Sequence, residues 1–121
     1  GGDRTGDRAV AAVQSVRAIS DASGVPGIPM WITETGRSTT GTGAATELGQ
    51  AAILETLRLR LAAEPGVRMI LIHTMIELPL ASTQIETGFG VVRRDFTLKP
   101  AGCSLATSWG GLLTCPANLL G

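Results

Sequence analysis

Two short apolar runs constrain this chain more than any other feature in it. Val67-Arg68-Met69-Ile70-Leu71-Ile72 is nearly continuous in apolar side chains, and so is the run from Ile28 to Thr33. A strand with one solvated face alternates apolar and polar residues, so a continuous run predicts a strand covered on both faces, as in a parallel sheet flanked by helices. Pro26 and Pro29 forbid helix at the first run. Parallel neighbours need a crossover, and the segment from Thr46 supplies one. There Ile53, Leu54, Leu57 and Leu61 recur at helical spacing, while Glu55, Arg58 and Arg60 fall largely elsewhere. Thr46 stands where a helix cap is needed, and Glu64-Pro65-Gly66 ends the helix.

The remaining segments fit the same alternation. Asp7 to Ser23 carries Ala9, Val10, Val13, Val16 and Ile19 at helical spacing, and Gly24 is placed as a stop. Gly36 to Thr46, rich in Gly, Ser and Thr, is a loop longer than the few residues that usually join a strand to the next helix. The second strand is expected over Val67 to Met75, and a second long connection, Ile76 to Gly90, follows it. Val91 to Leu98 then folds around a small turn at Arg94-Asp95, and Lys99-Pro100 opens a weaker helix toward Trp109. The tail from Gly110 reads as irregular. Helix and strand in alternation predict an α/β fold with a parallel sheet. Two strands alone expose unpaired edges and an uncovered apolar face, so the rest of the sheet must lie outside this chain. The start at Gly1-Gly2-Asp3, with neither Met nor signal sequence, also reads as a piece of something longer.

Composition narrows the partners. Among 121 residues, ten Lys plus Arg balance ten Asp plus Glu, and the basic residues are scattered, so no electrostatic footprint for nucleic acid or anionic membrane is expected. No stretch approaches the roughly 18 consecutive apolar residues of a membrane-spanning helix. One His in total and no Cys/His cluster give a metal site nothing to stand on. Cys103 and Cys115, twelve apart, match no zinc or redox spacing; a disulfide and two buried free thiols both stay open. Gly41-Thr42-Gly43-Ala44-Ala45-Thr46 lies between a strand and a helix, but it lacks the third Gly of a dinucleotide loop and begins too far from the strand end.

The segment Pro29-Met30-Trp31-Ile32-Thr33-Glu34-Thr35-Gly36 resembles the seventh-strand signature of clan A glycoside hydrolases, an apolar strand ending in Thr-Glu and followed shortly by Gly. Val67 through Glu77 stands in the place of that clan's eighth strand. Gly88-Phe89-Gly90-Val91-Val92-Arg93-Arg94-Asp95-Phe96-Thr97-Leu98-Lys99-Pro100-Ala101 is similar to the run that leads into its last barrel helix. The likeness spans about residues 28 to 105 and implies the C-terminal part of a (β/α)8 TIM barrel. Strands seven and eight with flanking helices would fall in residues 1–109, with an irregular tail at 110–121. It implies a retaining glycosidase acting on oligo- or polysaccharides, without cofactor, and often outside the cell.

The resemblance makes Glu34 the nucleophile. Active sites of TIM barrels sit at the C-terminal ends of the strands, which is where Glu34 falls. Strict alternation puts Glu34 on one face with Ile32, and Trp31 and Thr33 on the other, so that an inward Glu34 sends Trp31 toward a helix. Retention needs a second carboxyl group about 5 Å away as acid and base. The clan carries it in an Asn-Glu pair, which is absent here; the only Asn is Asn118. The chain alone is therefore expected to be inactive. Glu77 and Glu86 fall in the loop after the second strand, where the clan places substrate contacts. Many clan members end the eighth strand with a stacking Trp; Met75 holds the matching place, and His73 two residues earlier shares its face. His73, Met75 and Glu77 are thus the candidate substrate-binding residues. A non-catalytic barrel that binds carbohydrate or a partner is the alternative.

Overall fold

A computed structural model describes residues 5–81, 83–111 and 114–116. Gly1 to Asp3 and most of the tail beyond Gly110, Asn118 included, lie outside the described residues. In order, the chain forms helix α1 (Asp7–Ala22), strand β1 (Met30–Thr35), helix α2 (Glu47–Ala62), strand β2 (Val67–Ile72), a 3-10 turn at Ile85–Phe89 and helix α3 (Pro100–Ser108). The two strands pair in parallel, so the α/β expectation holds. Both strands begin or end differently from the sequence expectation. β1 starts at Met30, whose N–H bonds Gly66 O, and runs to Thr35. β2 stops at Ile72 instead of reaching Met75, because the last pairing is His73 N–H to Thr35 O and the chain then turns away. The run Val91 to Leu98 folds back on itself, with Val92 bridging Leu98 across the turn at Arg93–Thr97.

Thr46 caps α2 by accepting a hydrogen bond from the Gly49 N–H at 2.9 Å. The buried face of α2 is Gln50, Ile53, Leu54, Leu57 and Leu61. Together with Val10, Val91, Ala101 and Leu105, its apolar members form the core, onto which Ile32, Ile70 and Ile72 of the strands pack. α3 lies against α2, and α1 touches it through Val10 while leaving Val16 and Ile19 exposed. Arg17 ties α1 to the end of α2 through Glu64 at 3.2 Å. Arg58 hydrogen-bonds the Glu55 carboxylate and holds it below the usual range.

The opposite face of the sheet is bare. Trp31 is 65% exposed, and Met69 and Leu71 are exposed beside it. This corrects the expectation that Trp31 packs under a helix, and the reason is a register shift. Ile32 pairs with Ile70 and Thr35 with Ile72, so three steps along β1 match two along β2. The extra residue breaks the alternation: Ile32 is partly buried against the core, Thr33 and Glu34 are both exposed, and Thr35 is again partly buried. Glu34 therefore leaves the company of Ile32 and joins the face that carries Trp31.

Cys103 and Cys115 form a disulfide, with Cα atoms 5.6 Å apart. Cys103 is on α3, so the bond fastens the following segment to the last helix. Closing a loop of this size stabilises by about 3 kcal/mol on chain entropy. Reduction, or Cys115→Ser, is expected to lower the urea midpoint of the full-length parent accordingly. An unchanged midpoint would count against the pairing.

Candidate active site

The C-terminal ends of β1 and β2 converge because Gly36 lets them. A Cβ at Gly36 would collide with the His73 carbonyl oxygen, so only glycine permits this approach just after Thr35. Beyond that point the two long loops are zipped together. Thr39 N–H bonds Gly88 O at 3.1 Å, Ser38 Oγ donates to Ile85 O at 2.5 Å, and Thr40 Oγ1 donates to Gln84 O at 2.8 Å. Gly88 is required here as well: a Cβ would stand 2.5 Å from the Thr40 nitrogen.

Two fully buried polar side chains clamp the zipper from beneath. Gln50 Nε2 donates to Arg37 O at 2.8 Å and to Gly88 O at 3.2 Å, linking the loop after β1 to the loop after β2. Lys99, immediately before Pro100 at the start of α3, places Nζ 2.6 Å from Glu77 Oε1, 3.0 Å from Thr39 Oγ1 and 3.3 Å from Gly88 O. Buried polar groups with several partners fix geometry, since losing any partner leaves a costly unpaired group.

The zipper shapes a shallow cleft of about 250 Å³ lined by Glu34, Thr35, Gly36, His73, Glu86 and Phe89. Glu34 is exposed at its edge, and among the described residues its carboxylate has no hydrogen-bond or ion-pair partner. His73 Nε2 lies 3.8 Å from Glu86 Oε2, and its ring is tilted on Phe89 with centroids 5.2 Å apart. The His73–Thr74 peptide is cis. A free carboxylate beside an imidazole, a second carboxylate and an aromatic ring offers a nucleophile, hydroxyl-binding groups and an apolar patch. The described residues contain no cluster of His, Cys, Asp and Glu able to hold a metal, and no helix long and apolar enough to cross a membrane.

The structure brings only part of the sequence-derived set together. His73 joins Glu34, but Met75 does not. It is 70% exposed and lines a separate apolar groove with Ile72, Val91, Leu105 and Trp109, because the chain leaves the strand at His73. Met75 therefore lies outside the cleft that Glu34 lines. Glu77 is likewise drawn away, its carboxylate committed to Lys99. Glu86 and Phe89 take their places. Gly88 and Gly90, flanking Phe89, were the available signal: a ring between two glycines, in a loop where backbones must approach closely.

No protein-family model matches the chain, and no curated protein does. Solved structures do match. A family 39 glycoside hydrolase from the gut symbiont Bacteroides cellulosilyticus WH2 superposes with a TM-score of 0.60 at 23% identity, over 77% of this chain and 19% of its own. The β-glucuronidase of Faecalibacterium prausnitzii gives 0.62 at 16% identity, over 95% of this chain and 20% of its own. That of Bifidobacterium dentium, solved with coumarin-3-O-glucuronide, gives 0.63 at 20% identity, over 93% and 18%. The fold is that of part of a TIM-barrel glycosidase.

In such a barrel the helices lie outside and the strands enclose a packed interior. The bare face of Trp31, Met69 and Leu71 is then an interior face lacking its other strands, and the Glu34 cleft lies at the strand ends where barrel active sites form. The chain spans about a fifth of the length of these barrel proteins, which accounts for a two-stranded sheet whose edges and inner face stay open.

Proposed function

We propose that this chain is the C-terminal part, strands seven and eight, of the catalytic barrel of a retaining glycoside hydrolase that cleaves O-glycosidic bonds of oligo- or polysaccharides. Residues 1–109 belong to the barrel and 110–121 form a tail. Glu34 attacks the anomeric carbon and carries the glycosyl group, while a carboxyl group from the missing N-terminal part protonates the leaving oxygen and then activates water. His73, Glu86 and Phe89 contact the sugar. The observation that carries this reading is Glu34 itself: a carboxylate with no partner among the described residues, exposed at the end of a strand where the register shifts, and lining a cleft with an imidazole and a ring. The disulfide supports an oxidising, extracellular setting. The Asn-Glu pair that carries the acid/base in the clan is absent from this sequence, and Glu86 is read as a sugar contact, so the isolated chain is inactive in this reading.

A mechanism-based 2-fluoro glycoside should label the full-length parent at the peptide containing Glu34. Labelling at another carboxylate would remove Glu34 from the role. The alternative, a barrel that binds sugar without cleaving it, draws on Met75, which stands where many clan members carry a stacking Trp and lies outside the cleft. Stoichiometric sugar binding without any labelling would favour it.

A further inference from the structure

An apolar groove of about 400 Å³ lies between β2 and α3. Ile70 and Ile72 line it from the strand, Leu105, Ala106 and Trp109 from the helix, and Met75 stands at its rim. Met75 is 70% exposed and Trp109 57%, although both face apolar neighbours. β2 pairs with β1 alone, so its other edge carries unpaired N–H and C=O groups. The helices show which edge that is. α1 meets α2 through Arg17 and Glu64, whereas α3 meets it through Ser108 and Glu55, which stands about half a turn around α2 from Glu64. α1 and α3 thus flank α2 on opposite sides, and the groove beneath α3 runs along the open side of β2.

We propose that this groove is the seam at which the parent's sheet closes, occupied by a strand from the N-terminal part of the parent lying parallel to β2. The proposal rests on the barrel part of the reading above and not on its chemistry. Two nearer candidates are used elsewhere. A helix that joins parallel strands crosses over with a fixed hand, so the strand that feeds α1 belongs at the free edge of β1, on the α1 flank. The chain that follows α3 is turned back, because the disulfide holds Cys115 against Cys103, more than a turn before the helix ends at Ser108. Thr107 Oγ1, 3.2 Å from Cys115 Sγ, holds the returning segment to the same helix. What remains is chain from further upstream, and this piece spans only about a fifth of the matched barrels. Such a strand pairs with the open edge of β2. Its alternate side chains enter the groove beneath Leu105 and Trp109, and the others extend the face of Met69 and Leu71. Met75 and Trp109 become buried seam residues, which gives Met75 a place in the parent outside the Glu34 cleft.

The test uses the full-length parent. With Trp109→p-benzoylphenylalanine, irradiation should cross-link the groove, within one molecule, to a peptide upstream of this chain, as mapped by mass spectrometry. Met75 supplies a readout that needs no variant: hydrogen peroxide should oxidise it roughly tenfold or more slowly in the folded parent than in urea. A cross-link confined to this chain or to the segment after it would overturn the proposal. So would a cross-link that joins two copies and doubles the mass, or oxidation of Met75 at its unfolded rate. If any of these is found while the fluoro glycoside still labels Glu34, the seam alone is lost. Upstream cross-linking with no label on Glu34 would keep the seam and remove the glycosidase reading.

Discussion

Glu34→Gln in the full-length parent is expected to lower kcat by roughly 10⁴-fold or more with no measurable change in stability. The amide keeps the size and shape of the carboxylate but cannot form the glycosyl ester. Residues that act as a cooperative set lose activity on that scale when the nucleophile goes. The stability half of the expectation follows from the surroundings. Glu34 is exposed and partnered by no described residue, and such surface substitutions usually fall within about 0.5 kcal/mol. A structural carboxylate would behave the other way, with lowered thermal stability and retained turnover. The two measurements together, kcat on an aryl glycoside and the thermal midpoint, therefore separate chemistry from scaffolding. Retention of kcat within tenfold would sink the nucleophile assignment.

The parts of this fold that could be read from the residues are those governed by local rules. The apolar stripe of α2, the Thr46 cap and the paired apolar runs each follow from spacing alone, and all three appear in the structure. The face of Glu34 did not follow, because alternation assumes one residue of β1 for each of β2, and the shift between Ile32 and Thr35 breaks that count. Trp31 was misplaced for the same reason, since its burial depended on the parity of Glu34. Met75 and Glu77 were misplaced for a different one. The sequence shows a strand that could continue through Met75, but it does not show that the loops would be drawn together and turn the chain at His73. That closure rests on Gln50 and Lys99. Gln50 was visible in principle, as a polar residue three positions before Ile53 on an otherwise apolar stripe. Lys99 was not: a lysine before a proline at a helix start is ordinarily solvated, and only the long-range partners Thr39, Glu77 and Gly88 reveal it as a buried strut.

Lys99→Met should accordingly be the most destabilising single change among the residues that hold the site, at about 3–5 kcal/mol, because removing one partner of a buried ion pair strands the other. Glu77, whose side chain is 18% exposed, would keep its charge with no cation, and Thr39 Oγ1 and Gly88 O would each lose a donor. Methionine preserves the length and the apolar stem, so the loss reads the charge rather than a cavity. The pair itself need not be worth that much. Adding Glu77→Leu to Lys99→Met should restore a large part of the lost stability, since replacing a buried ion pair with apolar residues is often nearly neutral. Urea unfolding of the two single variants and the double variant forms the cycle. If Lys99→Met costs less than about 1 kcal/mol, the ammonium is not buried as described. The variant should also weaken substrate handling in molecules that remain folded: Lys99 steadies Gly88, and Gly88 lies between Glu86 and Phe89 on the turn that faces Glu34. A rise in KM in the Lys99→Met variant, retained in the stable double variant, would show that the strut positions the cleft and does not merely stabilise the barrel.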